Sequence, residues 1–154
     1  MSLDQESWTV YLSGEIHTDW RDRIRSGVND AELLLQLASP ITDHAASDDC
    51  GAHILGEEAD AFWRDHKSAK INAIRTRSLL DRADIAVIRF GNKFRQWNAA
   101  FDAGYAAALG KPYITLHDAD LTHALKEVDA GALAVAETPE QVVRILGYAI
   151  GGKL

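Results

Sequence analysis

The chain has 154 residues, of which 47% are hydrophobic, enough for a single domain over residues 1–154 and too few for two typical domains. Sixteen basic and 23 acidic residues give a formal net charge of -7, which argues against nonspecific binding to a nucleic-acid polymer or an anionic membrane. The lone cysteine, Cys50, excludes an intramolecular disulfide, and the lack of a membrane-length apolar stretch or signal-peptide pattern predicts a cytoplasmic protein.

Short apolar runs alternate with longer stretches of helical spacing along the chain. The predicted strands are residues 8–12, 32–37, 84–90, 113–117 and 132–136. The main predicted helices are residues 20–28, about 69–82, an alanine-rich helix within residues 95–111 that ends before Gly110, then 120–128 and 139–148. Thr18 is the predicted N-cap of the first helix, and Gly110 followed by Pro112 is expected to stop the third. The polar segment after the second strand is expected to hold two helical pieces, with residues 39–55 irregular, as a lid or a disordered excursion.

Five strands alternating with helices predict an α/β fold. We expect a doubly wound, five-stranded parallel sheet of flavodoxin-like or Rossmann-like order 2-1-3-4-5, with helices on both faces. Ligands of such sheets bind outside the carboxyl ends of the strands at the switch point, here between the first and third strands. The first strand delivers residues 13–17 to that crevice, and the third delivers residues 89–96 and then the helix that carries Asp102.

Asp102 is the one carboxylate in the alanine- and glycine-rich residues 95–111. So little side-chain bulk allows another backbone or a flat ligand to approach closely, and Gly104 costs the helix about 1 kcal/mol relative to alanine. Asn98 and Tyr105, at i-4 and i+3, can share the helix face of Asp102 and orient its carboxylate or touch a sugar. The structural alternative is that Asp102 is a satisfied buried acid bonding to neighbouring backbone.

Three motifs carry a family resemblance: YLSG after the first strand, DIAVIRFG at the third, and FDAGYAAALGKP in the following helix. Together they resemble the nucleoside 2-deoxyribosyltransferase-like family, most closely its YtoQ branch, over nearly the whole chain. That family carries a catalytic glutamate in a context like A-F-E-x-G-Y-A, and residues 100–106 fill the same slot with Asp102, one methylene shorter. The resemblance implies that Asp102 is the nucleophile and that Gly14 lies near the bound sugar. Residues 96–98 replace the family's Asp-Ser-Gly stretch, so the sugar contacts must differ.

The chemistry that fits Asp102 is cleavage or transfer at the N-glycosidic bond of a (deoxy)nucleoside or nucleoside monophosphate. Such cleavage passes through an oxocarbenium-like state, which a carboxylate beneath the anomeric carbon stabilises or traps covalently. The departing base needs a proton, and Glu15 and His17 are the available acids. Two alternatives stay open: a non-catalytic nucleotide-binding or sensor module, and a glycosidase directed at NAD or ADP-ribose.

Arg89, Lys93 and Arg95 form a cationic cluster in an acidic protein, at a strand-to-helix turn whose helix amides also favour an anion. They predict a phosphate subsite, with simply solvated cations as the alternative. The predicted catalytic residues are Asp102, Glu15 and Tyr105. The predicted substrate-binding residues are Ser13, Gly14, His17, Gly91, Asn92, Lys93, Arg95, Gln96, Trp97 and Asn98.

No cofactor and no metal site is predicted, because the acidic, histidine and cysteine residues of positions 43–53 fit no standard zinc or calcium spacing. The expected ligand is a small-molecule nucleoside or nucleotide. The alanine-rich helix can pack tightly on a symmetry mate, and relatives complete their pockets across subunits. A homodimer or larger symmetric homo-oligomer is therefore expected.

Overall fold

A computed structural model describes residues 7–154, and in that part of the chain five strands alternate with six α-helices. The strands are β1 (Trp8–Gly14), β2 (Leu35–Ala38), β3 (Ile85–Arg89), β4 (Tyr113–Leu116) and β5 (Ala134–Ala136). The helices are α1 (Trp20–Asp30), α2 (His44–Leu55), α3 (Ala61–Arg82), α4 (Trp97–Ala108), α5 (Lys126–Gly131) and α6 (Pro139–Gly151). The strands form one parallel sheet of order 2-1-3-4-5, which confirms the predicted fold class.

Helices cover both faces of the sheet because alternate residues of each strand point to opposite sides. On one face, Val10 and Leu12 of β1 pack with residues of α1 and α6. On the other face, Tyr11 of β1 packs with Ile88 of β3 and with residues of α3 and α4. The central strands are therefore buried on both sides, and a polar side chain there is unusual enough to need an explanation.

The register of the central strands makes them end at the same edge of the sheet. Gly14 of β1 pairs with Arg89 of β3, and the Glu15 amide still bonds the Arg89 carbonyl at 3.1 Å. The loops β1–α1 and β3–α4 consequently leave the sheet side by side. This is the edge at which the sequence places the ligand crevice.

The segment between β2 and β3 differs most from expectation. The predicted irregular segment 39–55 is wrong for residues 44–55, which form α2, and α3 begins at Ala61 rather than near residue 69. Asp43 caps α2 by accepting the Ala46 amide at 3.0 Å, and Asp60 caps α3 by accepting the Phe62 amide at 2.8 Å. The apolar signal is weak here because α2 buries only the small residues Gly51 and Ala52, against α3.

The start of α1 also differs from the sequence-based expectation. Thr18 is not the N-cap: Asp19 holds that position without a side-chain capping bond, and the Thr18 hydroxyl donates to Glu15 instead. The buried Glu15 carboxylate accepts both the hydroxyl and the amide of Thr18, so the Thr18 side chain is engaged before the helix begins.

The strand β2 begins three residues later than predicted because α1 ends in a turn that consumes its expected first residues. Glu32 adopts a left-handed φ of 51°, and its amide bonds the Asn29 carbonyl at 3.0 Å. The Leu33 amide bonds the Val28 carbonyl at 3.1 Å, which completes a Schellman-type helix end.

The remaining boundaries shift by a few residues. The predicted helix 120–128 is instead a 3₁₀ turn at Ala119–Leu121 followed by α5, and α6 continues to Gly151. The predicted end of the alanine-rich helix is confirmed: Gly110 has a φ of 69° and its amide bonds the Ala107 carbonyl at 3.0 Å. None of the helices in residues 7–154 is long and apolar enough to cross a membrane.

Candidate active site

Asp102 of α4 lies against the end of β1. The Ser13 hydroxyl donates to Oδ2 of Asp102 at 2.5 Å, a contact between residues 89 positions apart, and Ser13 itself is buried. Within residues 7–154, no cation pairs with Asp102 and no neighbouring backbone amide bonds it. The predicted structural alternative, an acid satisfied by nearby backbone, is therefore not the observed arrangement.

Tyr11 adds a phenol on the same face of the sheet as Ser13 and Asp102. Its side chain is fully buried, and its hydroxyl has no hydrogen-bond partner among the described residues. Burial, followed by the negative charge of Asp102, holds the pKa of Tyr11 well above its ordinary value. The phenol therefore remains a protonated donor beside the carboxylate.

Burial raises the pKa of Asp102, and the hydrogen bond from Ser13 opposes that shift. A carboxylate that is half-buried, carries one hydrogen bond and has no counter-ion is costly in its charged form. Protein sites accept such a cost where the charge is needed for binding or chemistry.

Asp102→Asn is expected to increase the free energy of unfolding at pH 7 by roughly 1 kcal/mol. Because the folded-state pKa of Asp102 is raised above its unfolded value, ionising the carboxyl costs stability above that pKa. The cost fades as pH falls toward the ordinary value of 3.8, where the carboxyl is protonated in both states. Urea unfolding at several pH values measures this difference, and a gap that widened on acidification would contradict the assignment.

Arg21 of α1 holds the carboxyl end of β1 in place. Its guanidinium donates to the carbonyls of Leu12 at 3.1 and 3.2 Å, Gly14 at 3.2 Å and Glu15 at 2.6 Å. Burial lowers the pKa of Arg21 to about 10, which still leaves the group charged at neutral pH. A buried cation therefore fixes the peptide groups immediately after Ser13.

Glu15, predicted as a proton donor, is engaged in its own loop. Its carboxylate accepts hydrogen bonds from the Thr18 amide at 3.0 Å, the Thr18 hydroxyl at 2.5 Å and the His17 amide. The structure does not bring Glu15 into contact with Asp102. The carboxylate instead shapes the β1–α1 loop, whose His17 ring lies tilted against Phe94 of the β3–α4 loop, with the ring centres 4.8 Å apart.

A cavity of about 370 Å³ opens between the β1–α1 and β3–α4 loops. It is lined by Glu15, His17, Thr18, Arg89, Gly91, Asn92, Lys93 and Phe94, so it brings together five of the predicted site residues and Arg89 of the predicted cationic cluster. Neither Asp102 nor Ser13 lines it. A second cavity, of about 300 Å³ between α2 and α3, contains no predicted site residue.

Asp118, just beyond β4, holds the wall of the first cavity. Its carboxylate lies 3.6 Å from Nη1 of Arg89 and accepts a hydrogen bond from the Asn92 amide group. The Asp118 carbonyl lies 2.8 Å from Nδ1 of the buried His117. Asp118 thus ties the carboxyl ends of β3 and β4 together.

The rest of the predicted residues lie away from Asp102. The Tyr105 hydroxyl donates to Asp81 of α3 at 3.1 Å, so in this structure Tyr105 does not orient the Asp102 carboxylate, and its predicted alternative role of touching a sugar stays a prediction. Three residues advance a helix by 300°, which turns Tyr105 about 60° from Asp102 and toward α3. Asn98 and Trp97 are exposed, and within residues 7–154 the one side-chain hydrogen bond of Asp102 comes from Ser13.

The predicted contacts around the start of α4 also differ. Gln96 accepts the Gly91 amide at 3.0 Å, so it closes the β3–α4 loop on itself. Arg95 does not lie with the other residues of the predicted cationic cluster; its guanidinium carbon lies 5.7 Å from the centre of the Trp97 ring. The loop therefore directs Lys93 into the cavity and Arg95 away from it.

Comparison with known proteins places the chain in a family. A family model described as nucleoside 2-deoxyribosyltransferase YtoQ matches residues 11–150. The chain belongs to this family. A curated relative, uncharacterized protein YtoQ of Bacillus subtilis (strain 168), is 40% identical over 139 residues, covering 90% of this chain and 94% of the relative.

Two solved structures share the fold of this YtoQ-family chain. A conserved protein from Enterococcus faecalis V583 aligns with a TM-score of 0.61 and 15% identity, covering 93% of this chain and 99% of that one. A 2-deoxyribosyltransferase from Bacillus psychrosaccharolyticus aligns with a TM-score of 0.53 and 15% identity, covering 88% and 90%. At this identity the likeness demonstrates a common fold and leaves the activity to be tested.

Sequence reasoning missed two residues of the candidate site, Tyr11 and Asp118. The available signal for Tyr11 was a hydroxyl in an apolar central strand, two positions before Ser13 and so on its face of the sheet. The signal for Asp118 was a carboxylate directly after β4, which the predicted strand order places beside the cationic end of β3.

Proposed function

We propose that this protein cleaves or transfers at the N-glycosidic bond of a (deoxy)nucleoside or nucleoside monophosphate, with Asp102 as nucleophile. The observation that carries the proposal is the pairing of Asp102 with Ser13 at the carboxyl edge of β1, without a counter-ion in residues 7–154. Membership of the nucleoside 2-deoxyribosyltransferase YtoQ family supports the bond type.

The reaction begins with Oδ1 of Asp102, because Oδ2 is held by Ser13. Oδ1 attacks the anomeric carbon, the bond from that carbon to the base nitrogen breaks with its electron pair leaving on the base, and a glycosyl ester forms. Water or a second base then attacks the same carbon, the ester bond to Oδ1 breaks and releases the carboxylate, and the proton of the attacking group returns to the acid that protonated the first base. The Tyr11 phenol, a buried donor without a partner among residues 7–154, lies near enough to Asp102 to stabilise the carboxylate when it is released.

The departing base must gain a proton, and of the two predicted acids only His17 has a side chain that is not already engaged in hydrogen bonds within residues 7–154. All the hydrogen bonds of the Glu15 carboxylate serve the β1–α1 loop. The exposed His17 ring makes no hydrogen bond to the described residues and lies on Phe94 at the mouth of the cavity. An imidazole can act as a general acid, so we assign the protonation of the departing base to His17.

The direct test is release of free base. The protein is incubated with a panel of nucleosides, their 5′-monophosphates, NAD and ADP-ribose, and free base is measured by chromatography. We expect base from at least one nucleoside or monophosphate, together with a glycosyl adduct on the Asp102 peptide after an acid quench. Adding a second base separates transfer from hydrolysis. Absence of both base and adduct across the panel refutes the proposal.

One observation favours a non-catalytic sensor as the second candidate. Asp102 is one methylene shorter than the glutamate implied by the family resemblance, which lengthens the distance to a sugar held in the same position. A sensor binds nucleotide without releasing base. Titration calorimetry on the same panel therefore separates the two candidates when it is combined with the base assay.

We also propose that the chain forms a symmetric homo-oligomer through α4. This helix leaves Trp97 and Phe101 71% and 59% exposed, and a Cβ placed at Gly104 would meet nothing within 4 Å. Large exposed aromatic side chains beside a bare backbone position suit close packing on a second copy. Light scattering after size exclusion is expected to give at least twice the monomer mass of 16.9 kDa, and a monomer at micromolar concentration contradicts it.

A further inference from the structure

We infer that the cavity between the β1–α1 and β3–α4 loops binds a phosphomonoester, so that the preferred ligand is a nucleoside 5′-monophosphate lying across the edge of the sheet. This inference rests on the proposed function, because it names the substrate class that the Asp102 site takes. It concerns an anion site on the opposite side of β1 and β3 from the nucleophile.

The cavity wall contains two cationic side chains whose hydrogen-bonding capacity is only partly used: Arg89, which Asp118 contacts through Nη1, and Lys93, whose Nζ lies 5.3 Å from the centre of the Phe94 ring. Nε of Arg89 is buried without a hydrogen-bond partner in the described part of the chain, while its side chain is 16% exposed. Lys93 forms no ion pair with any carboxylate of residues 7–154. An unsatisfied buried donor costs stability, and a phosphate oxygen is the acceptor that charged guanidinium groups bind most strongly.

The alternation of side chains along the strands separates the two ends of the ligand. Ile88 of β3 faces the α3 and α4 side, as Ser13 and Asp102 do, so the following Arg89 faces the other side. Gly14 pairs with Arg89 in the register and places no side chain on the edge between them. A ligand can therefore cross the sheet edge over the Gly14 backbone.

The distance across this edge suits a pentose with its 5′ carbon. Ser13 touches Asp102, and Glu15, two residues further on, lines the cavity. Two residues of chain span at most about 7 Å. An anomeric carbon at Asp102 therefore leaves a 5′-phosphate at the mouth of the cavity, within reach of Lys93.

Asp118 acts as an internal counter-ion that a phosphate displaces. Its carboxylate lies 3.6 Å from Arg89 and accepts from Asn92, but the side chain is 46% exposed and can turn into solvent. A dianionic phosphomonoester competes for the same two donors more strongly than one carboxylate does. Glu15, the carboxylate that also lines the cavity, keeps its oxygens on Thr18 and the His17 amide.

The test uses variants that change phosphate binding in opposite directions. All carry Asp102→Asn, which blocks turnover, and titration calorimetry compares 2′-deoxyadenosine, its 5′-monophosphate and inorganic phosphate. We expect the monophosphate to bind at least tenfold more tightly than either of the others. Lys93→Gln should weaken the monophosphate about tenfold, Asp118→Asn should strengthen it, and neither should change nucleoside binding. Lys126→Gln, an exposed lysine of α5, is the matched control.

Several results would overturn the inference. Equal affinity for nucleoside and monophosphate with no effect of Lys93→Gln removes the phosphate site, as does inorganic phosphate binding as tightly as the monophosphate. Arg89→Gln is a second variant that should weaken binding of the monophosphate. Lys93→Gln is the main variant because Lys93 is exposed, so its replacement leaves the fold intact. Base release that is equal from nucleosides and monophosphates refutes this inference while leaving the glycosidic function standing. Tight monophosphate binding that depends on Lys93 but is not followed by base release supports the phosphate site and refutes the glycosidic function.

Discussion

Asp102→Asn is expected to lower the rate of base release by on the order of 10³-fold or more, without loss of the folded state. An amide cannot form the glycosyl ester and carries no charge to stabilise the oxocarbenium-like state. Asparagine has the same shape, so the Ser13 contact and the end of β1 remain in place. Initial rates of base release for the best substrate of the panel measure the effect.

The pH dependence of the wild-type rate provides an independent check on the same residue. Only the ionised form of Asp102 is a nucleophile, and burial raises its pKa. The rate is therefore expected to rise as pH increases through that raised pKa. Asp120→Asn, which removes an exposed carboxylate of the 3₁₀ turn, is the control and should keep the wild-type rate and profile. Comparable losses in both variants would deny Asp102 a chemical role.

Gly14→Ala is expected to destabilise the protein by about 3 kcal/mol or more. Gly14 has a φ of 107°, and a Cβ placed there would lie 2.1 Å from the Arg89 carbonyl oxygen, a backbone atom. Relief requires β1 and β3 to separate at the edge where Ser13 meets Asp102. A lower urea midpoint with an unchanged slope measures the loss.

Gly104→Ala is the matched control for that glycine. It adds the same methyl group in the middle of α4, where no atom lies within 4 Å, and it removes the helix cost of glycine. We expect it to stabilise the isolated protomer by about 1 kcal/mol, so the comparison is made at a dilution at which the chain is monomeric. If Gly14→Ala lowers and Gly104→Ala raises the free energy of unfolding, the backbone strain lies at the β1 edge. Equal effects would mean that the backbone conformation of Gly14 is not the cause.

The fold could be predicted from the sequence because the patterns that indicate its strands and helices are local. Apolar runs of four to eight residues, glycine after helices and proline in a first turn depend on positions close in sequence, and they predicted the sheet order and the edge that carries the crevice. The helix at residues 44–55 was not predicted because α2 buries small side chains against another helix. Such a helix has almost no periodic pattern of large apolar residues.

The sequence predicted the central residues of the candidate site but not most of their hydrogen-bond partners. Asp102 stood out as a charge among alanines, and Ser13 and Gly14 followed from the strand end. The partners of Tyr105 and Glu15 were not predictable from spacing. Tyr105 turns toward α3, and the Glu15 oxygens are used within four residues of sequence.

The sequence by itself determined the class of fold, the family and the position of Asp102 in the helix after the third strand, because these depend on local periodicity and on short motifs. The tertiary structure alone decided that Ser13 holds Asp102, that the Tyr11 hydroxyl has no partner in residues 7–154, and that Asp118 balances Arg89. Each of those facts joins residues from different strands or helices. Their distances depend on strand register and helix packing, which no single stretch of sequence contains.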